Sequence, residues 1–294
     1  MRAVPGGGDV DVSALVDRIA TLPTPHAVLR TIMAVAGDPE TPVAGLVDTL
    51  KYDPAIAGRI LRAANAHSGE YPRRISAIPN AIDFLGRDRV CALLLLSRHF
   101  AGETGGALPP FFAPERFWRH SVLVALFAAS IGRHLKRYAA VDEEELFTGG
   151  LLHDIGKIAL AVGGGTSLET ARLRSMAESL PFHSAEDREP HAMVGALLAN
   201  AWSLPPELQQ ACGGHHEPAV AGCFVSVIHF ADIMAHLVGY PVFDGEATPP
   251  VDPAALAAFP LPPERLKLIA ADGLLTLGNL EQRFGLAGRP GTAG

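Results

Sequence analysis

The sequence predicts an all-α protein, on three observations. Apolar residues recur at three- and four-residue intervals through most of the 294-residue chain. Several of these runs open on an oxygen-bearing side chain followed by proline, the chemistry of a helix start. Alternating apolar and polar stretches of strand length are scarce.

Taken in order, residues 1–9 read as a flexible lead-in, and a first helix is expected from Asp11, with Val12, Leu15, Val16 and Ile19 on one face. Thr24-Pro25, Thr41-Pro42 and Asp53-Pro54 then each set an N-cap oxygen before a proline at the first helical position. The helices they open carry Val28/Ile32/Val35, Val43/Leu46/Val47/Leu50 and Ile56/Ile60/Leu61. Another helix, from about Ser76 through Ile78, Ile82 and Leu85, is expected to stop at Gly86 as its C-cap. Arg87 to Phe100 supplies one more, too apolar from Val90 to Leu96 for a surface helix. Residues 10–100 thus read as a bundle of short helices.

Residues 101–113 break the pattern. A long helix follows from Pro114 to His134, burying Phe117, Trp118, Val122, Leu126 and Ile131. The central helix is expected from Glu143 to Ile155. Gly163-Gly164-Gly165 reads as a plain loop, because no Walker lysine follows and no strand precedes. Further helices are expected at 167–179, 190–201, 205–213 and 223–238, closing a second lobe at 112–240. The proline-rich stretch 241–263 reads as a linker. An amphipathic helix at 264–284, with Leu266, Ile269, Leu274, Leu277 and Leu280, is expected to dock on the bundle or a partner, before a disordered tail at 285–294.

Composition narrows the function. Apolar residues are 48 %, enough for a sizeable core. The net charge is -7 without a basic run, which disfavours nucleic acid as a partner. Cys91, Cys212 and Cys223 form no CxxC pair and point to a reducing, cytoplasmic setting. The first residues lack the apolar stretch of a signal peptide, and no run approaches the ~20 apolar residues of a membrane span.

The chemistry gathers around Phe147-Thr-Gly-Gly-Leu-Leu-His153-Asp154-Ile-Gly-Lys157. His120 lies upstream, and His191, His215, His216 and Asp232 lie downstream, each in or beside an expected helix. A hard or borderline divalent metal takes neutral imidazole and carboxylate. Two such ions, about 3.5–4 Å apart, can share a carboxylate. His153 and Asp154 would point about 100° apart on a helix, so Asp154 could bridge a site lying between them. Singly, each residue has a structural account. His120 and His191 could be hydrogen-bonded helix residues, Lys157 a cation near a helix C-terminus, and Asp232 a charge-paired face between His229 and His236. Together they favour metal. His26, His67, His99, His134, His183, His229 and His236 are expected at the surface or in caps, with His229 a candidate support for the site.

Two stretches, Asp53-Pro-Ala-Ile-Ala-Gly-Arg-Ile-Leu-Arg-Ala-Ala-Asn65 and Ile75-Ser-Ala-Ile-Pro-Asn-Ala-Ile-Asp-Phe-Leu-Gly86, resemble the N-terminal signature of the HDOD family. Phe117-Trp-Arg-His-Ser121, Gly150-Leu-Leu-His-Asp-Ile-Gly-Lys157, His191-Ala-Met-Val-Gly-Ala-Leu-Leu198, Trp202-Ser-Leu-Pro205, His215-His-Glu217 and His229-Phe-Ala-Asp232 continue the resemblance over about residues 20–238. It implies an all-helical fold with an HD-like lobe and a regulatory role in bacterial signalling. The ligand set resembles that of the related HD-GYP cyclic-dinucleotide phosphodiesterases. That likeness implies one divalent ion (iron, manganese or zinc) on His120, His153, Asp154 and Asp232. A second would share Asp154 with His191, His215 and His216. Lys157 would face a substrate phosphate and act with Asp154.

The chain departs from that pattern twice. No Gly-Tyr-Pro loop follows His216, and Gly239-Tyr240-Pro241 beyond Asp232 reads as a coincidence. Arg116 stands where some relatives carry a third-metal glutamate, which implies at most two ions and lets Arg116 meet an anionic ligand. Two functions compete. One is a signalling module that senses a metal or nucleotide and acts on a protein partner. The other is a metal-dependent hydrolase of a cyclic dinucleotide or other phosphate ester.

Overall fold

The computed structural model describes residues 23–67, 74–103, 108–136, 141–162, 190–218, 222–253 and 261–286. The helices expected from Asp11 and at 167–179, the triple glycine and most of the tail lie outside these residues. Every regular element among the described residues is a helix, so the fold is all-α.

The first group comprises α1 (His26–Gly37), α2 (Val43–Leu50), α3 (Pro54–His67) and α4 (Ile78–Glu103). Gly86 adopts φ 73 and ψ 164 inside α4, so the chain turns there between two helical segments. Of the three expected capping oxygens, only one caps. Asp53 Oδ1 accepts from Ile56 N at 2.9 Å. Pro25 and Pro42 are themselves the N-cap residues of α1 and α2, leaving the threonine one position too early. Thr24 instead donates to Asp53 Oδ1 at 3.0 Å, and Thr41 donates to Asp38 Oδ2 at 3.2 Å.

The second group is α5 (Pro114–Leu135), α6 (Glu143–Leu152), α7 (Ile155–Val162), α8 (Pro190–Ala201), α9 (Pro206–Gly214) and α10 (Cys223–Leu237). Asp142 caps α6, accepting from Glu144 N at 2.9 Å and Glu145 N at 3.1 Å. Helix α6 is central: α5, α9, α10, α3 and α4 all pack on it. Val28, Ile60, Trp118, Phe127, Leu151, Trp202 and Ile228 belong to one apolar core that spans both groups. The last helix, α11 (Pro263–Phe284), lies across α5 and α1. Its apolar face (Ile269, Leu277, Leu280, Phe284) is buried. The Phe284 ring meets Trp118 edge-on at 5.5 Å. Arg119 of α5 pairs with Glu281, and both side chains are largely buried.

Two expectations change. Helix α6 stops at Leu152, so His153 and Asp154 form the turn into α7 and Lys157 sits in the first turn of a new helix. The expected linker does not begin at 241: Val242 and Phe243 are buried in the core, in a loop folded back on the second group.

Candidate metal centre

Bare backbone lets α5 and α10 close on the end of α6, and α8 close on the start of α7. A Cβ on Gly150 would lie 2.9 Å from the Ala125 Cα of α5, and one on Gly149 would lie 2.7 Å from the Ile228 side chain of α10. On a further side a Cβ at Gly156 would run into the His191 carbonyl and sit 2.8 Å from Gly195 N of α8. Close approach carries His120, Asp232 and His191 to the turn that holds His153 and Asp154. His215 and His216 arrive from the end of α9.

The two Asp154 oxygens face different imidazole sets. Oδ1 lies 3.2 Å from His191 Nε2 and 3.5 Å from His215 Nε2, and His216 Nε2 is 3.0 Å from His191 Nε2. Oδ2 lies 3.4 Å from His153 Nε2 and 3.5 Å from His120 Nε2. Asp232 Oδ1 joins this second set, 3.3 Å from His120 Nε2 and 3.9 Å from His153 Nε2. His120, His153, Asp154, His191, His215 and Asp232 are all buried, and His216 is half-buried.

Backbone carbonyls fix which ring nitrogen carries the proton. Nδ1 of His120 donates to Tyr240 O at 2.8 Å, that of His153 to Gly150 O at 2.8 Å, and that of His215 to Ala211 O at 2.9 Å. A carbonyl only accepts, so in the neutral ring the Nε2 lone pair points inward at the carboxylates. Burial keeps His153 neutral, pushing its pKa down to about 3 against the pull of Asp154. Burial alone would raise Asp154, but the Lys157 ammonium beside it holds its carboxyl well below the usual range. Asp232 is held low in the same way, by the His236 imidazolium. Inward lone pairs and ionised carboxylates repel one another unless a cation lies among them. This donor set fits a divalent metal: Asp154 with His191, His215 and His216, His120 with His153 and Asp154, and His120 with Asp232 and His236 form groups able to hold one.

Lys157 and Arg116 are both paired with carboxylates. The Lys157 side chain is 1 % exposed, with its ammonium 2.7 Å from Asp154 Oδ2 and 2.8 Å from Glu246 Oε1. It is therefore packed between two carboxylates. Those carboxylates outweigh burial and raise its pKa. The Arg116 guanidinium pairs with Asp244, on the loop after α10.

His236, expected at the surface, is buried instead. Its Nδ1 lies 3.1 Å from Asp232 Oδ1 and its Nε2 lies 3.6 Å from Glu246 Oε2. Burial opposes its charge, but these carboxylates overrule it and bring the pKa to about 10. His229 is buried as well; its Nδ1 donates to His215 O at 2.7 Å and so braces the double histidine. The i,i+4 spacing of Asp232 and His236 could have flagged the second of them. Glu246 had no local signal, because its partner Lys157 lies 89 residues away. Tyr240 enters only through its carbonyl, which no side-chain motif reveals.

A family model, HDOD domain, matches residues 22–218. Asp232, His236 and Glu246 lie beyond the match. The crystal structure of the MmoQ response regulator from Methylococcus capsulatus str. Bath is similar, with a TM-score of 0.67 and 25 % identity, over 86 % of this chain and 99 % of that one. A fragment of the same regulator gives a TM-score of 0.63 at 24 % identity, over 84 % of this chain and 94 % of that one. A virulence factor from Campylobacter jejuni subsp. jejuni shares the fold alone, with a TM-score of 0.53 at 12 % identity, over 88 % of this chain and 99 % of that one. No curated protein matches the chain. No helix among the described residues is long and apolar enough to cross a membrane.

Proposed function

Because the chain belongs to the HDOD domain family, we propose that it is a cytoplasmic regulatory module of bacterial signal transduction, built around a dinuclear metal centre. The observation that carries this reading is Asp154, whose Oδ1 and Oδ2 face separate sets of inward Nε2 atoms. One ion is assigned to His120, His153, Asp154 and Asp232, the other to Asp154, His191, His215 and His216. Iron, manganese and zinc all suit imidazole with a shared carboxylate. Bound there, such ions would supply Lewis acidity and an activated water suited to phosphate esters.

The protein's own residues do the positioning. The carbonyls of Gly150, Ala211 and Tyr240 hold the rings in the tautomer that ligates. Lys157 pairs with Asp154 through Oδ2 and keeps it ionised. Asp154 and Lys157 are assigned to the centre as bridge and charge partner. Arg116, through Asp244, fastens the loop over it. Residues 23–103 are assigned the surface that meets a signalling partner, and 112–240 the centre that senses a metal or a phosphate-bearing ligand. The closed Lys157–Glu246 contact favours sensing over turnover.

A second reading, hydrolysis of a cyclic dinucleotide or other phosphate ester, is favoured by the complete ligand set. One experiment separates the two. Metal per chain is measured on protein purified without chelator, and bis(p-nitrophenyl) phosphate is offered with manganese or ferrous iron. The regulatory reading expects about two ions per chain, their loss in Asp154→Ala, and no turnover. Turnover that vanishes in Asp154→Ala would replace it with the hydrolase. Metal-free protein that stays empty after manganese is added would sink both.

A further inference from the structure

The Glu246 side chain is fully buried, 0 % exposed, although it belongs to a loop. Its Oε1 lies 2.8 Å from Lys157 Nζ. Its Oε2 accepts from Val242 N at 2.7 Å and Phe243 N at 3.1 Å, and lies 3.6 Å from His236 Nε2. Each basic side chain it touches is bound on its far side to an acid of the centre: Lys157 to Asp154 at 2.7 Å, and His236 to Asp232 at 3.1 Å. One carboxylate therefore fills a basic notch whose opposite wall is the metal-ligand cluster.

The segment that delivers this carboxylate is bounded by two glycine turns. It turns at Gly239 and Gly245, with φ of 86 and 76. Between them Phe243 sits against Phe111 and Phe112, at ring distances of 5.8 and 6.2 Å. The outer fastening is the Arg116–Asp244 pair, whose Asp244 side chain is 78 % exposed and open to competition from solvent. A buried ion pair adds little to stability over a well-packed apolar pair. Its position between the loop and the centre gives it a use beyond packing.

We propose that Glu246 is an internal stand-in for an oxyanion, and that the Lys157–His236 notch is a subsite for the phosphate group of a ligand. The entering phosphate takes the place of the carboxylate on Lys157 and His236. The loop of residues 239–246 then lifts as it loses Glu246. The inference rests on the metal-centre reading only for its location, and metal content is measured in the same samples to keep the two apart.

The test is calorimetric binding of inorganic phosphate to the metal-loaded full chain. Glu246→Ala should bind at least tenfold more tightly than wild type, and Lys157→Met added to it should abolish the gain. A folded Glu246→Ala protein with unchanged affinity, or a gain that survives Lys157→Met, overturns the proposal while leaving the metal reading intact. Wild type supplies an independent measurement should the variant not fold. Phosphate should speed amide hydrogen exchange at Val242 and Phe243 relative to chloride of equal ionic strength. Equal exchange in the two salts overturns the proposal as well.

Discussion

Asp53 carries a pH signature of its own, away from the centre. It caps α3 and accepts from Ile56 and Thr24, yet burial raises its pKa from 3.8 to about 6, against those bonds and Arg59. The folded state thus holds the proton more tightly than the unfolded chain. The resulting stability is complete below the unfolded pKa of 3.8 and is lost as pH rises through about 6. Against an Asp53→Asn control, wild type should lose about 2 kcal/mol between roughly pH 4 and pH 7. Urea unfolding at both ends of the range checks this, and a difference that stays constant with pH rejects it. At Lys157, substitution by Met strands Asp154 and Glu246 without their ammonium. A loss of about 3–5 kcal/mol is expected by the same measurement. Residue type and spacing make the imidazoles and acids around Asp154 legible in the sequence. The partners of Lys157 are hidden there, because Glu246 reaches it only through a loop that returns from beyond α10.

Helices are where periodicity speaks most clearly, and α5, α8 and α11 lie within a residue or so of the expected spans. Their starts are less readable. A Thr-Pro and an Asp-Pro look alike in sequence, but only Asp53 reaches a free backbone N–H, because Pro25 and Pro42 take the N-cap place themselves. The break after Leu152 escapes the sequence for a related reason: the apolar pattern runs through it, while the backbone turns to aim His153 and Asp154. Helix contact yields its own prediction. Gly156→Ala forces α7 from α8, where His191 sits. It should cost several kcal/mol, roughly 3 or more, and lower metal content. Gly278, in α11, would have nothing within 4 Å of an added Cβ. Gly278→Ala should leave metal content unchanged and add about 0.4–1 kcal/mol. Thermal melts paired with metal analysis distinguish the two, and equal effects would mean that the α7–α8 contact is not what holds His191.

For the molecule as a whole, α11 acts as a strap across both helical groups. Arg283 donates to Asp48 O at 3.2 Å and Thr49 Oγ1 at 2.7 Å in the first, while Phe284 covers Trp118 in the second. Removing residues 263–294 should lower the melting temperature by roughly 10 °C or more and shift Trp118 emission to the red. An unshifted spectrum would show that the strap is dispensable. An amphipathic helix that docks is readable from Leu277 and Leu280. The proline-rich stretch before it is not, because its first residues are held by long-range partners that composition does not reveal. Among those partners, the Tyr240 carbonyl steadies His120 while Glu246, six residues on, is gripped by Lys157. One short segment thus has a hand on both. On the proposed metal centre, reciprocity ties the two holds together: whatever loosens the segment weakens cation affinity by the same factor by which bound cations resist the loosening. Cation affinity, read at dialysis equilibrium, then serves as the gauge of a movement too small to be seen directly.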